Sequence, residues 1–310
     1  MSRDLKSFLL RRLLLSLPVL WGVCTLVFTL IHLIPGDPVQ VMLGEGANAA
    51  DIADLRARLG LDQPLSEQYV HFLRRLISCD LGESLRYREP VRSLVLSRYP
   101  ATLLLASASM LLAFLIAFPA GVLAAVHRGT FWDRLATTIA LLGLSLPSFW
   151  VGPVLILVFA VHLDWFPVSG MESPSAIVLP SLALGTALAA ILARMIRASL
   201  MEEIASPYCK AATARGLGRW NVVLRHSLRN ALVPVLTVIA LQLGVLLTGA
   251  VITETVFGWP GLGRLTVQAI ETRDYPLVQG CILVISLTYV LVNLLTDVAY
   301  AVFDPRIRYG

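Results

Sequence analysis

The sequence predicts an all-α transmembrane bundle of six spans, with a small extracytoplasmic segment and a cytoplasmic loop that itself folds into helices. Three observations carry this. Of 310 residues, 57% are hydrophobic and only 15% charged, with a mean hydropathy of +0.76, a balance outside the range of soluble domains. Six apolar stretches come close to the ~20 residues that cross a hydrocarbon core as a helix. They run from about Leu13 to Ile34, Ala101 to Val126, Leu135 to Val161, Ile177 to Ala193, Leu232 to Thr253 and Leu277 to Val302. Barrel strands would be about half as long and alternating, so the spans are helices. Finally, segments 1–12, 127–134, 194–231 and 303–310 carry 15 of the 25 Lys and Arg against five acids, whereas the loops on the other side hold ten basic residues against 14 acids.

That asymmetry orients the chain. An even number of spans puts both termini on one side, and the excess of positive charge in short segments makes that side cytoplasmic. The net charge of +5 and pI near 9.2 are then a topology signal rather than a nucleic-acid footprint. Arg3, Lys6, Arg11 and Arg12 ahead of an apolar run imitate a signal peptide, but the run is too long and lacks a small-residue cleavage site, so it reads as an uncleaved first span. Of Cys24, Cys79, Cys209 and Cys281 only Cys79 falls in an outer aqueous loop, which predicts structural cysteines with neither an internal disulfide nor a zinc site.

The parts follow in order. Residues 1–34 form the cytoplasmic N-terminus and first span, ended by Pro35-Gly36-Asp37-Pro38. Residues 35–100 form an outer cap with two amphipathic helical patterns, about Ala50 to Leu59 and Pro64 to Ile77, the second placing Tyr69, Phe72, Leu73 and Leu76 on an apolar face. Asp80-Leu81-Gly82-Glu83-Ser84 reads as a turn, and Arg98-Tyr99-Pro100 as the lead into the second span. Residues 101–302 form a five-span core, and 303–310 a cytoplasmic tail. Pro18, Pro119, Pro147 and Pro153 interrupt spans, either as ordinary kinks filled by neighbours or as a flexible pathway wall. Between the last two spans, Phe257-Gly258-Trp259-Pro260-Gly261-Leu262-Gly263-Arg264 makes a tight outer turn. A short helix follows, with Leu262, Leu265, Ala269 and Ile270 toward apolar surroundings, then Arg273-Asp274-Tyr275-Pro276.

Chemistry is sparse in the spans. They contain His32 and Asp297, both near ends, with Glu254 and Arg194 at boundaries, too few ionisable groups for a proton or ion relay. No G-x-x-x-x-G-K-[ST], H-E-x-x-H or G-x-S-x-G occurs. An independent secondary carrier or a membrane-embedded enzyme would need such groups; energy for uphill movement would therefore come from a separate subunit.

The docking surface for that subunit is the basic loop 197–231. Ser206 suits an N-cap and Pro207 the first helical position. Ala211 and Ala212 allow close approach, and Gly216 permits the left-handed conformation that ends a helix. A second helix from about Arg219 places Val223, Leu224, Leu228 and Ala231 on one side and Arg225 and Arg229 on the other. The orientation rule explains the basic charge, but not a small-residue pair and a glycine at fixed spacing between two helices.

This loop resembles the coupling loop of bacterial ABC-importer permeases, in which E-A-A is followed after three residues by Gly; here the frame is Lys210-Ala211-Ala212, three residues, Gly216. Tyr208 through Leu217 is similar to the Y-x-x-x-A-R-A-K-G-L version of the peptide and nickel branch, with Thr213 and Arg215 in place of its Arg and Lys. Leu33-Ile34-Pro35-Gly36-Asp37-Pro38, Leu59-Gly60-Leu61-Asp62-Gln63-Pro64, Asp80-Leu81-Gly82, Trp259-Pro260-Gly261-Leu262-Gly263, Arg273-Asp274-Tyr275-Pro276 and Asp304-Pro305-Arg306-Ile307-Arg308 extend the resemblance along the chain. It implies a non-catalytic inner-membrane permease of a dipeptide, oligopeptide or glutathione importer, with chelated nickel as the alternative cargo. The implied partners are a paralogous permease, two cytoplasmic ATPases that hold ATP and Mg, and an extracytoplasmic binding protein, with no cofactor on this chain. By the same resemblance Tyr208, Lys210, Ala211, Ala212, Arg215, Gly216 and Leu217 would meet the ATPase. Trp259, Pro260, Gly261, Gly263, Arg273 and Asp274 would form the outer gate and the contact with the binding protein.

Overall fold

A computed structural model describes residues 3–33, 37–44, 46 and 48–303; the Ile34-Pro35-Gly36 break and the motif at 304–308 lie outside the described residues. The chain divides into two compact units, one of Met1–Pro100 with Gly261–Leu291, the other of Ala101–Pro260 with Val292–Gly310. Among the described residues five helices are long and apolar enough to cross a membrane, and there are six such spans if one bent helix pair is counted as a single crossing.

In the first unit, α1 (Arg3–His32) is followed by three short helices, α2 (Pro38–Leu43), α3 (Ala49–Arg58) and α4 (Leu65–Ile77). The last two match the amphipathic patterns within a residue. Asn48 caps α3 by accepting a bond from the Asp51 amide, and Asp37 caps α2 while pairing with Arg56. Helix α5 (Val91–Val126) starts well before Pro100. Val91 and Val95 are completely buried beside Leu262, Leu265, Leu277 and Cys281, and that packing carries the helix through a residue that by itself would break it. Helix α12 (Leu262–Glu271) buries Leu262, Leu265 and Ala269 as its pattern requires, while Ile270 is exposed. Helix α13 (Tyr275–Phe303) follows after a tight turn.

The second unit is organised around α8 (Val178–Ile204), whose Leu188, Leu192, Ile196 and Leu200 lie in one core with Leu105, Ala113 and Ala117 of α5 and with Val235 and Ala250 of α11 (Leu228–Val256). Small residues set the spacing, as expected where lipid offers no hydrophobic drive between helices. A Cβ on Gly121 would lie 2.7 Å from the Ala193 carbonyl oxygen, and one on Gly185 2.9 Å from that of Ser109.

The stretch Leu135 to Val161, expected as one span, is broken. Helix α6 (Phe131–Ser145) and α7 (Ser148–Leu155), the latter continued by a π-helical turn over Ile156–His162, meet at 109°. The cause is Pro147: its ring pushes Leu146 out of the helical region, to φ −83 and ψ 123, and Pro147 itself is extended. Pro153, by contrast, sits inside α7.

Candidate coupling site

The loop after α8 folds as two helical pieces around a glycine. Helix α9 (Pro207–Ala214) begins with proline at its first position. Ser206 precedes it in extended conformation, but its hydroxyl donates back to the Glu203 carbonyl at 2.6 Å instead of capping α9. Gly216 closes the helix at φ +86, with its amide on the Thr213 carbonyl at 2.9 Å and the Leu217 amide on Ala212 at 3.3 Å. A second helical run, α10, starts at Arg219, passes through a π turn over Val222–Ser227 and continues as α11.

The π turn corrects the expected face of that run. It inserts an extra residue into the turn, so Val222, Val223, Ser227 and Ala231 are buried, whereas Leu224 is exposed. Cys209 is the buried anchor of α9: its sulfur lies 3.1 Å from the Ser227 hydroxyl. Tyr208 stands at the crossing point of three elements. Its hydroxyl donates to the Glu203 carboxylate at the end of α8 and accepts from the Asn230 side-chain amide of α11 at 3.0 Å. Partial burial first, and then the Glu203 carboxylate, push this phenol above its usual pKa. Lys210, Ala211, Arg215, Gly216 and Leu217 are exposed and Ala212 is half-buried, so the residues of the expected contact form one outward surface.

Near its C-terminal end, α8 is tied to the first turn of α6. Arg197 meets Asp133 through two parallel bonds, Nε to Oδ1 at 2.6 Å and Nη2 to Oδ2 at 3.0 Å, and the Gly129 amide adds a third at 2.9 Å. Neither Asp133 nor Arg197 carries a motif, and nothing in the order of residues signals that positions so far apart pair; a fork-to-fork Arg–carboxylate pair is the strong form of that contact.

The outer segment is arranged differently from its expected role as a contact surface. Trp259 is 1% exposed and donates its indole N–H to the Ala101 carbonyl at 2.9 Å. Gly261 and Gly263 are buried and Pro260 half-buried. Asp274 is buried as well: it accepts from the Ser84 hydroxyl, from the Arg86 amide at 3.1 Å and from the Leu277 amide at 3.2 Å, and so both caps α13 and clamps the turn after Gly82. Two motifs separated by about 190 residues thereby meet. Arg273 is the exposed member, at φ 56, with Nη1 on the Val41 carbonyl at 3.2 Å. What this segment can offer a docked protein is therefore Arg273 with Ile270, Glu271 and Thr272, while Trp259 and Asp274 hold it in shape.

Residues 117–309 match the family described as binding-protein-dependent transport system inner membrane component, and residues 5–106 match the N-terminal part of such membrane components. The chain belongs to this family. It is 45% identical over 303 residues to the glutathione transport system permease protein GsiC of Escherichia coli K12, covering 98% of this chain and 99% of that one. The GsiC protein of Shigella dysenteriae serotype 1 matches equally. Among solved structures, an inward-facing methionine ABC transporter, MetNI, superposes with a TM-score of 0.55 at 22% identity, covering 68% of this chain and 96% of that one. An amino acid ABC transporter gives 0.52 at 18% identity, over 69% and 94%. At those identities the superpositions speak for the fold, that of an ABC-importer permease. The chain is thus a multi-pass inner-membrane component of a binding-protein-dependent transport system.

Proposed function

We propose that this permease subunit forms half of the pathway of an ATP-driven importer of glutathione or similarly short peptides. The observation that carries the cargo is the 45% identity with GsiC, a glutathione permease, along almost the whole of both chains. Chelated nickel has no comparable support. The second half of the pathway would be a paralogous permease, and ATP and Mg would be held by two cytoplasmic ATPases; the chain itself would be non-catalytic.

In this reading α9 is the coupling helix. Its outward face of Lys210, Ala211, Arg215 and Leu217 seats in an ATPase, and Cys209 and Tyr208 on its other side hand the motion to α8 and α11. The outer segment around Arg273 receives the binding protein, with Trp259, Pro260, Gly261, Gly263 and Asp274 fixing its shape. Both termini and the coupling loop are cytoplasmic, by the distribution of Lys and Arg.

The test is uptake by the complete transporter in proteoliposomes. Labelled glutathione or a dipeptide should enter in an ATP- and binding-protein-dependent manner, nickel should not, and the chain alone should transport neither. Transport by the chain alone would mean an independent carrier, and nickel uptake in preference to peptide would replace the cargo. Labelling of Arg215→Cys from the extracytoplasmic side only would overturn the orientation.

A further inference from the structure

The apolar surface of helix α4 is covered by α1 only in part. The Tyr69 hydroxyl meets Thr25 Oγ1 at 2.7 Å, whereas its neighbour Gln68 reaches His32 Nε2 at 3.0 Å. Phe28, between those two levels of α1, packs against Tyr69 and Phe72 with ring centroids 5.1 and 5.6 Å away. At 1.5 Å per residue Thr25 and His32 lie ~10 Å apart along α1. Adjacent residues of α4 thus touch widely separated levels of α1, so α4 crosses the span rather than running beside it.

Those two contacts define which side of α4 is deep. His32 is the last residue of α1 and Thr25 lies two turns further into the apolar span, so the Gln68 flank faces the end of the span and the Tyr69 flank faces its interior. Successive residues turn by ~100°, which puts Leu73, Ile77 and Val70 next to Tyr69 on the deep flank and Arg75 and His71 beyond Gln68 on the shallow one. The shallow flank is polar, and Arg75 there pairs with Asp80 at 2.9 Å. Beyond Tyr69 the deep flank is apolar and uncovered: Ile77 is 84% and Val70 46% exposed, with Leu73 half-buried. Arg74, also exposed, marks the far edge of that stripe.

We propose that α4 is an interfacial helix seated in one leaflet, with Val70, Leu73 and Ile77 among the acyl chains and Arg74 at the lipid phosphates. The occupant is lipid because the stripe lies level with Thr25 and Phe28 inside an apolar span and continues the exposed surface of α1 around Leu26. It also ends on a cation suited to a phosphate. The 35–100 segment is then anchored in the membrane surface instead of standing on it. The leaflet is the outer one under the orientation proposed above, but the depth of the helix does not depend on that.

The experiment places a nitroxide at Val70→Cys, Ile77→Cys and Glu67→Cys in turn. It uses the full transporter in lipid nanodiscs, with Cys24 and Cys79 replaced by serine. Collision rates are read with oxygen, which partitions into lipid, and with chromium oxalate, which stays in water. The expected result is a severalfold excess of oxygen over chromium access at Val70 and Ile77, reversed at Glu67. Chromium access at Ile77 equal to that at Glu67 would place the stripe in water and end the proposal. Low access to both probes at Ile77 would also end it, by putting another protein chain where lipid is proposed.

Discussion

Valine at Gly216 isolates what the turn of the proposed coupling loop contributes. Gly216 has φ +86, and a Cβ built there meets no atom within 4 Å. Steric contact with the rest of the chain is therefore not a cost; the strain is that of the left-handed conformation, roughly 1–2 kcal/mol for a residue with a side chain and most for a β-branched one. A shift of about 1.4 kcal/mol changes an equilibrium constant tenfold, so the turned loop loses about a factor of ten against its opened alternatives. The chain escapes the strain by giving up the bonds from the Gly216 and Leu217 amides to Thr213 and Ala212. That would re-aim Leu217 to Trp220 without touching a span. The series Gly216→Asn, Gly216→Ala and Gly216→Val should therefore lower ATPase co-purification, or raise ATP consumed per molecule imported, in that order, at unchanged membrane levels. Gly218→Val is the control, since Gly218 is at an ordinary φ −60 and ψ 147 with open space around it. Wild-type association and coupling in Gly216→Val, or equal damage from Gly218→Val, would refute the reasoning.

Three further outcomes follow from other contacts. Gly280→Ala would put a Cβ 2.3 Å from Val91 Cγ1, an overpacking that should cost about 1–3 kcal/mol and lower the thermal midpoint of the purified complex; adding Val91→Ala should restore it. Asp133→Asn leaves Arg197 without its charged partner and should cost about 1.5–3 kcal/mol in the same assay, with partial recovery in the exchanged pair Asp133→Arg with Arg197→Asp. The bond from Arg75, and then the Gly82 amide, hold the Asp80 carboxyl below its ordinary value of 3.8. A lowered carboxylate contributes stability above its unfolded pKa and loses it as pH falls through the folded one, so the protection of amides across 75–82 against hydrogen exchange, taken relative to the intrinsic rate at each pH, should stay constant from neutral to about pH 4 and fall below that. Loosening already near pH 6 would contradict this assignment.

The parts legible in the sequence were those set by local chemistry. The ~20-residue apolar runs gave five of the six spans as single helices, the 3.6 period gave α3 and α4 within a residue, and Pro207 with Gly216 bracketed α9 as proline and glycine bracket helices generally. What stayed hidden depends on partners distant in the chain. Pro100 and Pro147 carry the same local signal, yet α5 runs through the first because Val91 and Val95 are locked in a core, while the helix breaks at the second. Nothing in the order of residues announces that Asp274 will clamp Ser84, that Asp133 will pair with Arg197, or that a π turn will bury Val222 and leave Leu224 outside. The outer segment shows the sharpest limit. Its glycines, tryptophan and aspartate were read as a surface, but residues of that type recur equally where backbone must approach closely and polar ends need buried partners.

The same bonds bear on how a push at the coupling loop could travel. Tyr208 is bonded to Glu203 at the end of α8 and to Asn230 near the start of α11, and Cys209 one residue on is buried against Ser227. Helix α9 is thus joined at its first turn to both of the long helices that share the core of the second unit, while its last turn ends in an exposed glycine with open space around it. Load applied at the exposed face would reach α8 and α11 through packed and hydrogen-bonded contacts and would be free to re-aim only at Gly216. Six residues back along α8 from Glu203, Arg197 adds Asp133 and the turn before α6 to the same body. On the proposed reading this makes α8, with its two ties, the element that moves as a lever, and the broken pair α6 and α7, hinged at Leu146 and Pro147, the element that yields. A rigid-body shift of this kind needs two discrete packings of α8 against α5. The contacts at Gly121 and Gly185, with backbone oxygens under 3 Å from any added Cβ, are where a second packing has the least room to differ by small steps.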